Sequence, residues 1–298
     1  MSPQRRKIRK GRKELRNSFA SFVSLCAFAV MAGLVSALPS PLAAQARVDH
    51  AVWDQLLHRH VSEGLVDYEG FRQERQEVER YLAALETADP LSWSSREEQL
   101  AFWINAYNAN VVKGVLDHYL PAPSEARLPV AGRRQTGQAG PIASVKEVKG
   151  FFDRIRYRVA GRELTLNEIE GEGRTLGDWR IHFAVVCASS SCPPLRAEAY
   201  VAEQLEAQLT EQTRQFLDNP QRGMRIEDDM LWASKIFDWY TTDFIPPKEL
   251  GLFRRLTPEK LLPRIEPYLD RHIAQAIRSK RLSISFLDYN WSLNAQHK

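Results

Sequence analysis

The chain has 298 residues, of which 41 are lysine or arginine and 37 are acidic. Residues 1–46 hold eight of the basic side chains and only one acidic side chain, Glu14, so the remaining residues carry 33 basic and 36 acidic groups. The basic isoelectric point of the whole chain therefore comes from its N-terminal segment. The charge balance gives no support to nucleic-acid binding, and we expect no nucleic-acid partner.

The first 46 residues have the pattern of an export signal. Basic residues at positions 5–16 precede an apolar run at 19–38, and Ala44-Gln45-Ala46 gives an Ala-x-Ala cleavage site. Cleavage would leave residues 47–298 as a single periplasmic or secreted α+β domain. The alternative is a retained anchor in the inner membrane, since the apolar run approaches the ~20 residues that a transmembrane helix needs. Membrane contact is expected only through this segment, if it stays uncleaved.

Hydrophobic periodicity predicts helices in the first part of this domain. Apolar stripes lie at 52–57 and at 71–85, with a turn or short strand at 64–70 between them. A stronger helix is predicted from Ser95, because Ser95-x-x-Glu98 has the form of a capping box. Residues 121–144 contain four prolines and three glycines, which predicts a long loop.

The second half of the chain mixes predicted strands and helices. Hairpins are expected at 155–166 and 224–232, with a short helix opening at 167–170 and an amphipathic helix at 197–217. A short aromatic segment at 234–244, helices from 257 and at 273–277, and a strand at 282–287 complete the prediction. Helices around a modest, mostly antiparallel sheet indicate the α+β class.

The most reactive segment lies at 180–194. The apolar, β-branched run at 181–186 predicts a buried strand that ends in a turn carrying Cys187 and Cys192. Cys26 is the third cysteine, within the leader. In an oxidising compartment this pair favours a disulfide, and a short, strained bridge of that kind would be reducible.

Four segments together resemble the domain-of-unknown-function 547 family: QLAFWINAYN at 99–108, HFAVVCASSSCPP at 182–194, SKIFDWY at 234–240 and DYNWSLN at 288–294. The resemblance implies no settled activity, and residues 51–294 are covered by it. By analogy, the family fold is similar to the papain or transglutaminase group. Two departures from that group are the lack of a cysteine at the start of the central helix and of an obvious Asp-containing strand after His182.

Cys187 is the candidate nucleophile, with His182 as its base, because a thiolate activated by a neighbouring histidine is a common acyl-transfer device. The alternatives are a Cys187–Cys192 disulfide, an inert buried thiol and a core histidine. Asn105 and Asn108 interrupt an apolar helix face, so they either tie down loop backbone or orient His182 and an oxyanion. Glu98 lies two turns before Asn105 and either shares that face or serves only the cap.

Two further groups of residues are candidates for binding. The hydroxyls and turn amides of Ser189, Ser190 and Ser191 either bind an anion or are simply solvated. Trp239, Tyr240 and Trp291, with Tyr289, either line a groove or belong to the core.

We expect no metal and no cofactor. His58 and His60 face different ways on a helix, and His182, Cys187 and Cys192 lack a fourth ligand of known proximity. The sequence also lacks a phosphate-binding glycine loop, a dinucleotide fingerprint and a Gly-x-Ser-x-Gly motif.

The sequence thus favours a cysteine-dependent hydrolase or acyl transferase that acts on an envelope peptide or amide-like ligand. The alternative is a non-catalytic periplasmic binding or scaffold domain with a structural Cys187–Cys192 disulfide.

Overall fold

The helices of the computed structural model follow the apolar stripes of the sequence, over the described residues 47–93, 95–119, 140–251 and 255–296. The predicted leader and most of the predicted loop at 121–144 lie outside these residues. Within the described ranges, no helix combines the length and apolar character that crossing a bilayer requires.

The N-terminal region forms three helices and a short hairpin. The order is α1 Ala51–His60, β1 Val61–Ser62, β2 Leu65–Val66, α2 Tyr68–Gln73 and α3 Arg75–Thr87. The hairpin turns through Gly64, whose φ is 76°, and a Cβ at this position would lie 2.2 Å from Cβ of Pro194. Glycine is therefore required both for the backbone conformation and for the approach of the reactive loop.

The central helix is α4, Arg96–Asp117, and it begins where the capping motif predicted. The Ser95 hydroxyl accepts a hydrogen bond from the Glu98 N–H, which satisfies one of the free amides of the first turn. Most of the helix is buried, including Asn105, Asn108 and Asn110. A helix that is apolar on nearly all sides is typical of a position in the centre of a domain.

The predicted hairpin after the long loop is confirmed. Its strands are β3 Tyr157–Val159 and β4 Arg162–Leu164, which pair in antiparallel register. Helix α5, Leu166–Thr175, follows with a reciprocal capping box between Thr165 and Glu168. This helix packs along α4 and carries Glu170 into the interior.

The predicted strand at 181–186 is wrong, because a 3-10 helix occupies Trp179–Phe183. The side chain of Asp178 accepts from the Arg180 N–H and begins this helix. The Asn108 side chain then binds the Ala184 carbonyl and the Val186 N–H, at 2.9 Å each. The backbone groups that a strand would pair with a neighbour are thus satisfied by a helix cap and an amide.

The next helix is shorter than the amphipathic pattern predicted. Helix α6 covers Leu205–Leu217, after a 3-10 turn at Ala202–Gln204. Residues 197–201 are not helical because side chains bind their backbone: Asn105 holds Tyr200 at both its N–H and its carbonyl, and Gln208 accepts from the Val201 N–H.

The C-terminal region builds a second buried apolar cluster around a three-stranded sheet. Strands β5 Met224–Glu227 and β6 Met230–Ala233 form the predicted hairpin, and β7 Ser283–Phe286 pairs with β6 in parallel. The helices of this region are α7 Lys235–Trp239, α8 Thr241–Phe244, α9 Pro247–Leu250, α10 Pro258–Ile265 and α11 Arg271–Ser279. The α+β class is confirmed, with small sheets that are mainly antiparallel.

The C-terminal segment returns to the reactive loop. Ser190 N–H donates to the Ser292 carbonyl, and the Asn294 N–H donates to the Ala188 carbonyl. Further along, the Gln296 N–H donates to Val66 of the N-terminal hairpin. Residues 188–191 are consequently held between the two ends of the described domain, which fixes the loop that carries both cysteines.

Candidate functional site

A pocket of about 290 Å³ opens where the reactive loop, α5, α7 and the C-terminal segment meet. It contains both candidate residues of the thiol chemistry, Cys187 and His182, but no hydrogen bond joins the predicted nucleophile to its predicted base. Its wall is formed by Tyr107, Phe152, Asn167, Glu170, His182, Val185, Cys187, Cys192, Pro193, Ile236, Trp239, Tyr240, Tyr289 and Trp291.

Cys187 is partly exposed in this pocket and is surrounded by hydrogen-bonding groups. Its Sγ lies 3.2 Å from the Ser189 hydroxyl and 3.2 Å from the Tyr289 hydroxyl. Burial acts to raise the pKa of the thiol, but hydrogen bonds from Cys192, Ser189 and Tyr289 outweigh it and lower the pKa to about 7. The Cys187 thiolate is therefore well populated near neutral pH, and the thiolate is the nucleophilic form.

Cys192 is the buried neighbour of Cys187. Its Sγ accepts a hydrogen bond from the Cys187 N–H at 2.8 Å. Burial, together with the adjacent Cys187 sulfur, raises the pKa of Cys192 well above its ordinary value. Both residues are free thiols in the structure, so it does not contain the alternative disulfide. The two sulfurs differ in acidity although they occupy one pocket.

The His182 ring is fixed from several sides. Its Nε2 lies 2.9 Å from Oδ2 of Asp243, and its ring stacks on Tyr240 with centroids 4.0 Å apart. Arg174 donates two hydrogen bonds to the same carboxylate. The hydrogen bond from His182 is the largest cause of a strongly lowered Asp243 pKa. With an ionised acceptor at Nε2, the neutral imidazole keeps its proton there and leaves a lone pair on Nδ1.

Glu170 lies on the other side of the imidazole. Its Oε1 is 3.8 Å from His182 Nδ1, and neither of these buried atoms has a hydrogen-bond partner. Glu170 is only 6% exposed, and burial is the main cause of its raised pKa. At 3.8 Å the two atoms are too far apart for a hydrogen bond, so a proton shared between them requires a small approach of the side chains. The raised pKa of Glu170 favours its protonated form and makes this residue the proton carrier of the pair.

Glu170 and Asp243 are the residues that sequence reasoning missed. Asp243 comes from α8, 61 residues after His182, so the carboxylate partner of the imidazole lies on a helix and not on a strand that follows His182. Glu170 lies in the predicted helix opening at 167–170, but its separation from His182 along the sequence does not indicate that the two residues meet in the fold. Tyr289 lies in the segment DYNWSLN at 288–294, one of the four segments that carry the family resemblance.

Asn105 and Asn108 lie away from the pocket wall. Both groups of the Asn105 amide bind the Tyr200 backbone, and both groups of the Asn108 amide bind the backbone at Ala184 and Val186. These are the contacts of amides that tie down loop backbone. Asn108 still affects the site, because the segment that it holds leads directly into Cys187.

Glu98 is also outside the pocket. Its Oε1 pairs with Nε of Arg47 at 2.7 Å, and it lines a separate depression with His50 and Val201. Its backbone N–H serves the cap of α4. The structure therefore does not bring Glu98 together with His182.

The three serines of the loop are engaged with the C-terminal segment or with Cys187. Ser190 donates through its hydroxyl and its N–H to the Ser292 carbonyl. The Ser191 hydroxyl accepts from the Asn290 N–H. These hydroxyls and amides are therefore engaged in contacts that stabilise the loop. Ser189 differs, since its hydroxyl lies beside the Cys187 sulfur.

The aromatic residues predicted to line a groove do line the pocket. Trp239, with 47% of its surface exposed, lies 4.8 Å from Tyr289 between ring centroids, and Tyr289 lies 4.8 Å from Trp291. The Lys146 ammonium lies 4.3 Å from the centroid of the Trp291 ring. The mouth of the pocket is thus a set of adjacent aromatic faces that can pack on a ligand.

Histidine, cysteine and acidic side chains are the usual protein ligands of metal ions. Across the described residues, no group of three or more histidine, cysteine or acidic side chains is arranged to hold a metal ion.

Part of the chain matches a known family model. A family model described as "Protein of unknown function, DUF547" matches residues 90–217. This region contains α4, α5, Glu170, His182 and both cysteines, whereas Asp243 and Tyr289 lie beyond it. No curated protein and no solved structure matches the chain.

Proposed function

Since residues 90–217 place the chain in the family described as a protein of unknown function, DUF547, we propose a function from its own pocket. The protein is a cysteine-dependent hydrolase or acyl transferase that acts on a peptide or another amide. The observation that carries this proposal is the presence of a thiol with a pKa of about 7 in the same pocket as a carboxylate-oriented histidine.

In the first step, the Cys187 thiolate attacks the carbonyl carbon of the substrate. The Ser189 and Tyr289 hydroxyls, which lower the pKa of the thiol, hold the sulfur at the pocket wall. The side-chain amide of Asn167 lines the same pocket and can donate to the developing oxyanion. The carbon–nitrogen bond then breaks, and the leaving amine takes the proton held by Glu170 and His182.

In the second step, water or an acceptor amine resolves the thioester. His182 Nδ1 now has a free lone pair and accepts a proton from the attacking water while Asp243 holds Nε2 in place. The carbon–sulfur bond breaks, the Cys187 thiolate returns, and the carboxylic acid product keeps the second proton of the water. Glu170 and His182 again hold one proton between them.

The surroundings of the pocket support an amide or peptide substrate. Trp239, Tyr289 and Trp291 offer apolar faces at its mouth, and a pocket of about 290 Å³ is near the lower end of volumes that bind small ligands. The export pattern of residues 1–46 supports an envelope location, where the substrate would be an envelope peptide or amide.

The proposal predicts that an activated ester will acylate Cys187. With 4-nitrophenyl acetate, the reduced protein is expected to release nitrophenolate in a burst, and peptide mapping should place the acetyl group on Cys187. Cys187→Ser should abolish the burst. Cys192→Ser is the matched control and should retain it, since serine keeps a hydroxyl donor beside Cys187.

Two results would contradict the proposal: an acetyl group on another residue, or no acylation while both thiols are free. Either result would favour the binding or scaffold function, in which the aromatic faces hold a ligand that the protein does not cleave.

A further inference from the structure

The two cysteines of the pocket are arranged as neighbours in space as well as in sequence. The Cys192 Sγ lies 2.8 Å from the Cys187 backbone nitrogen, and both residues line the pocket. The Tyr289 hydroxyl interacts with both sulfurs. Chemistry at one sulfur therefore takes place within reach of the other.

The backbone between them is already bent into a closed loop. Ala188 has a φ of 59°, a left-handed conformation that reverses the chain directly after Cys187. The Cys192 N–H donates to the Ser189 carbonyl, and Ser190 and Ser191 are bound to the C-terminal segment. These contacts hold the loop in the conformation that keeps the Cys192 sulfur beside the Cys187 backbone.

We propose that Cys187 and Cys192 form a reversible redox pair, in which a peroxide oxidises Cys187 and Cys192 resolves the product as a disulfide. In the first step, the Cys187 thiolate attacks hydrogen peroxide, the oxygen–oxygen bond breaks, and the products are a sulfenic acid and hydroxide. In the second step, the Cys192 sulfur attacks the sulfenic sulfur, the sulfur–sulfur bond forms, and water leaves with the Cys192 proton.

The different acidities of the two thiols fit these two roles. A lowered pKa keeps Cys187 partly ionised at neutral pH, which favours its attack on peroxide. Burial raises the pKa of Cys192, so this residue stays protonated and unreactive until a sulfenic acid forms beside it. Only one of the two sulfurs is then exposed to direct oxidation.

The consequence for activity rests on the proposed function, because the disulfide removes the nucleophile of acyl transfer. Oxidation would switch the enzyme off, and reduction would restore it. The disulfide also protects Cys187 from irreversible oxidation to sulfinic acid.

The test uses the purified full-length protein, reduced, desalted and treated with one equivalent of hydrogen peroxide in the presence of dimedone. Trypsin cleaves after Arg180 and Arg196, so both cysteines lie in one peptide and Cys26 lies in another. The wild-type peptide is expected to lose two hydrogens, to carry no dimedone and to regain its thiols in dithiothreitol. Cys192→Ser should instead accumulate the dimedone adduct on Cys187.

Further variants complete the test. Cys187→Ser should show neither product and keep Cys192 as a free thiol, and Cys192→Ala should repeat the dimedone result without a hydroxyl at that position. A dimedone adduct on wild-type Cys187 without the disulfide would overturn the inference. A bridge that dithiothreitol fails to open in the folded protein would also overturn it, as a structural disulfide. These readouts are masses, so they stay interpretable if acyl transfer is absent.

Discussion

Replacing His182 by glutamine is expected to slow the breakdown of the acetylated Cys187 enzyme by about 10²–10⁴-fold, the usual contribution of a positioned general base. In the proposed reaction, the lone pair of the imidazole Nδ1 accepts the proton of water, and the contact of Nε2 with Asp243 maintains that tautomer. Acetylation of Cys187 itself should be less affected, because hydroxyl groups and Cys192 lower the pKa of the thiol. The rate of deacetylation is measured after removal of excess 4-nitrophenyl acetate.

His60→Gln is the matched control for this variant. His60 is also buried, and its Nε2 also contacts a carboxylate, Glu74 Oε1 at 2.8 Å, but it lies outside the pocket. The control should deacetylate at the wild-type rate. If His182→Gln matched the wild type too, His182 would have no part in proton transfer and would serve only the packing of Tyr240.

Replacing Asn108 by alanine is expected to destabilise the fold by about 2–6 kcal/mol, since each of two buried backbone groups left without a partner costs about 1–3 kcal/mol. The variant would leave both the Ala184 carbonyl and the Val186 N–H unsatisfied. Urea unfolding monitored by tryptophan fluorescence gives the free energy of unfolding. The reactivity of Cys187 should also change, because the loosened segment ends at this residue.

Asn110→Ala is the control from the same helix. Asn110 is equally buried, but its amide donates only to Ala106 one turn earlier in α4. Its loss removes one hydrogen bond and should cost about 1 kcal/mol. Equal losses of stability for the two variants would show that Asn108 does not hold the 184–186 segment in solution.

Local signals were enough to predict much of the fold. The cap at Ser95 and the apolar stripe after it located α4, and the hairpins at 157–164 and 224–233 were visible from their alternation and turns. These features depend on neighbours within a few residues. The α+β class follows from them.

The secondary-structure predictions were wrong where side chains that are far away in the sequence bind the backbone. The apolar run at 181–186 has the composition of a strand, but Asn108, 76 and 78 residues away from its two partners, satisfies the backbone there. In the same way Asn105, 95 residues away, keeps Tyr200 out of α6. The hydrophobic pattern of neither segment indicates a hydrogen-bond partner so far away in the sequence.

The candidate site was predicted only in part, because side chains that are far away in the sequence also complete it. Cys187 and His182 are five residues apart, and a thiol this close to an imidazole in the sequence indicated a candidate nucleophile and base. Glu170 and Asp243 reach His182 from two other helices, and Tyr289 reaches Cys187 from 102 residues away. A fixed tautomer and an activated thiol both depend on such tertiary contacts.

Activation of the Cys187 thiol is tested most directly by the pH dependence of its alkylation by iodoacetamide, followed by mapping of the modified peptide. We expect the rate to rise with pH and to reach half its maximum at about pH 7, below the value of about 8.5 for an ordinary thiol. Tyr289→Phe removes one hydrogen bond to the thiolate and should move this midpoint upward by about one unit. A midpoint at or above the ordinary value, or a reduced Cys187 that iodoacetamide fails to modify, would contradict an activated thiol in this pocket.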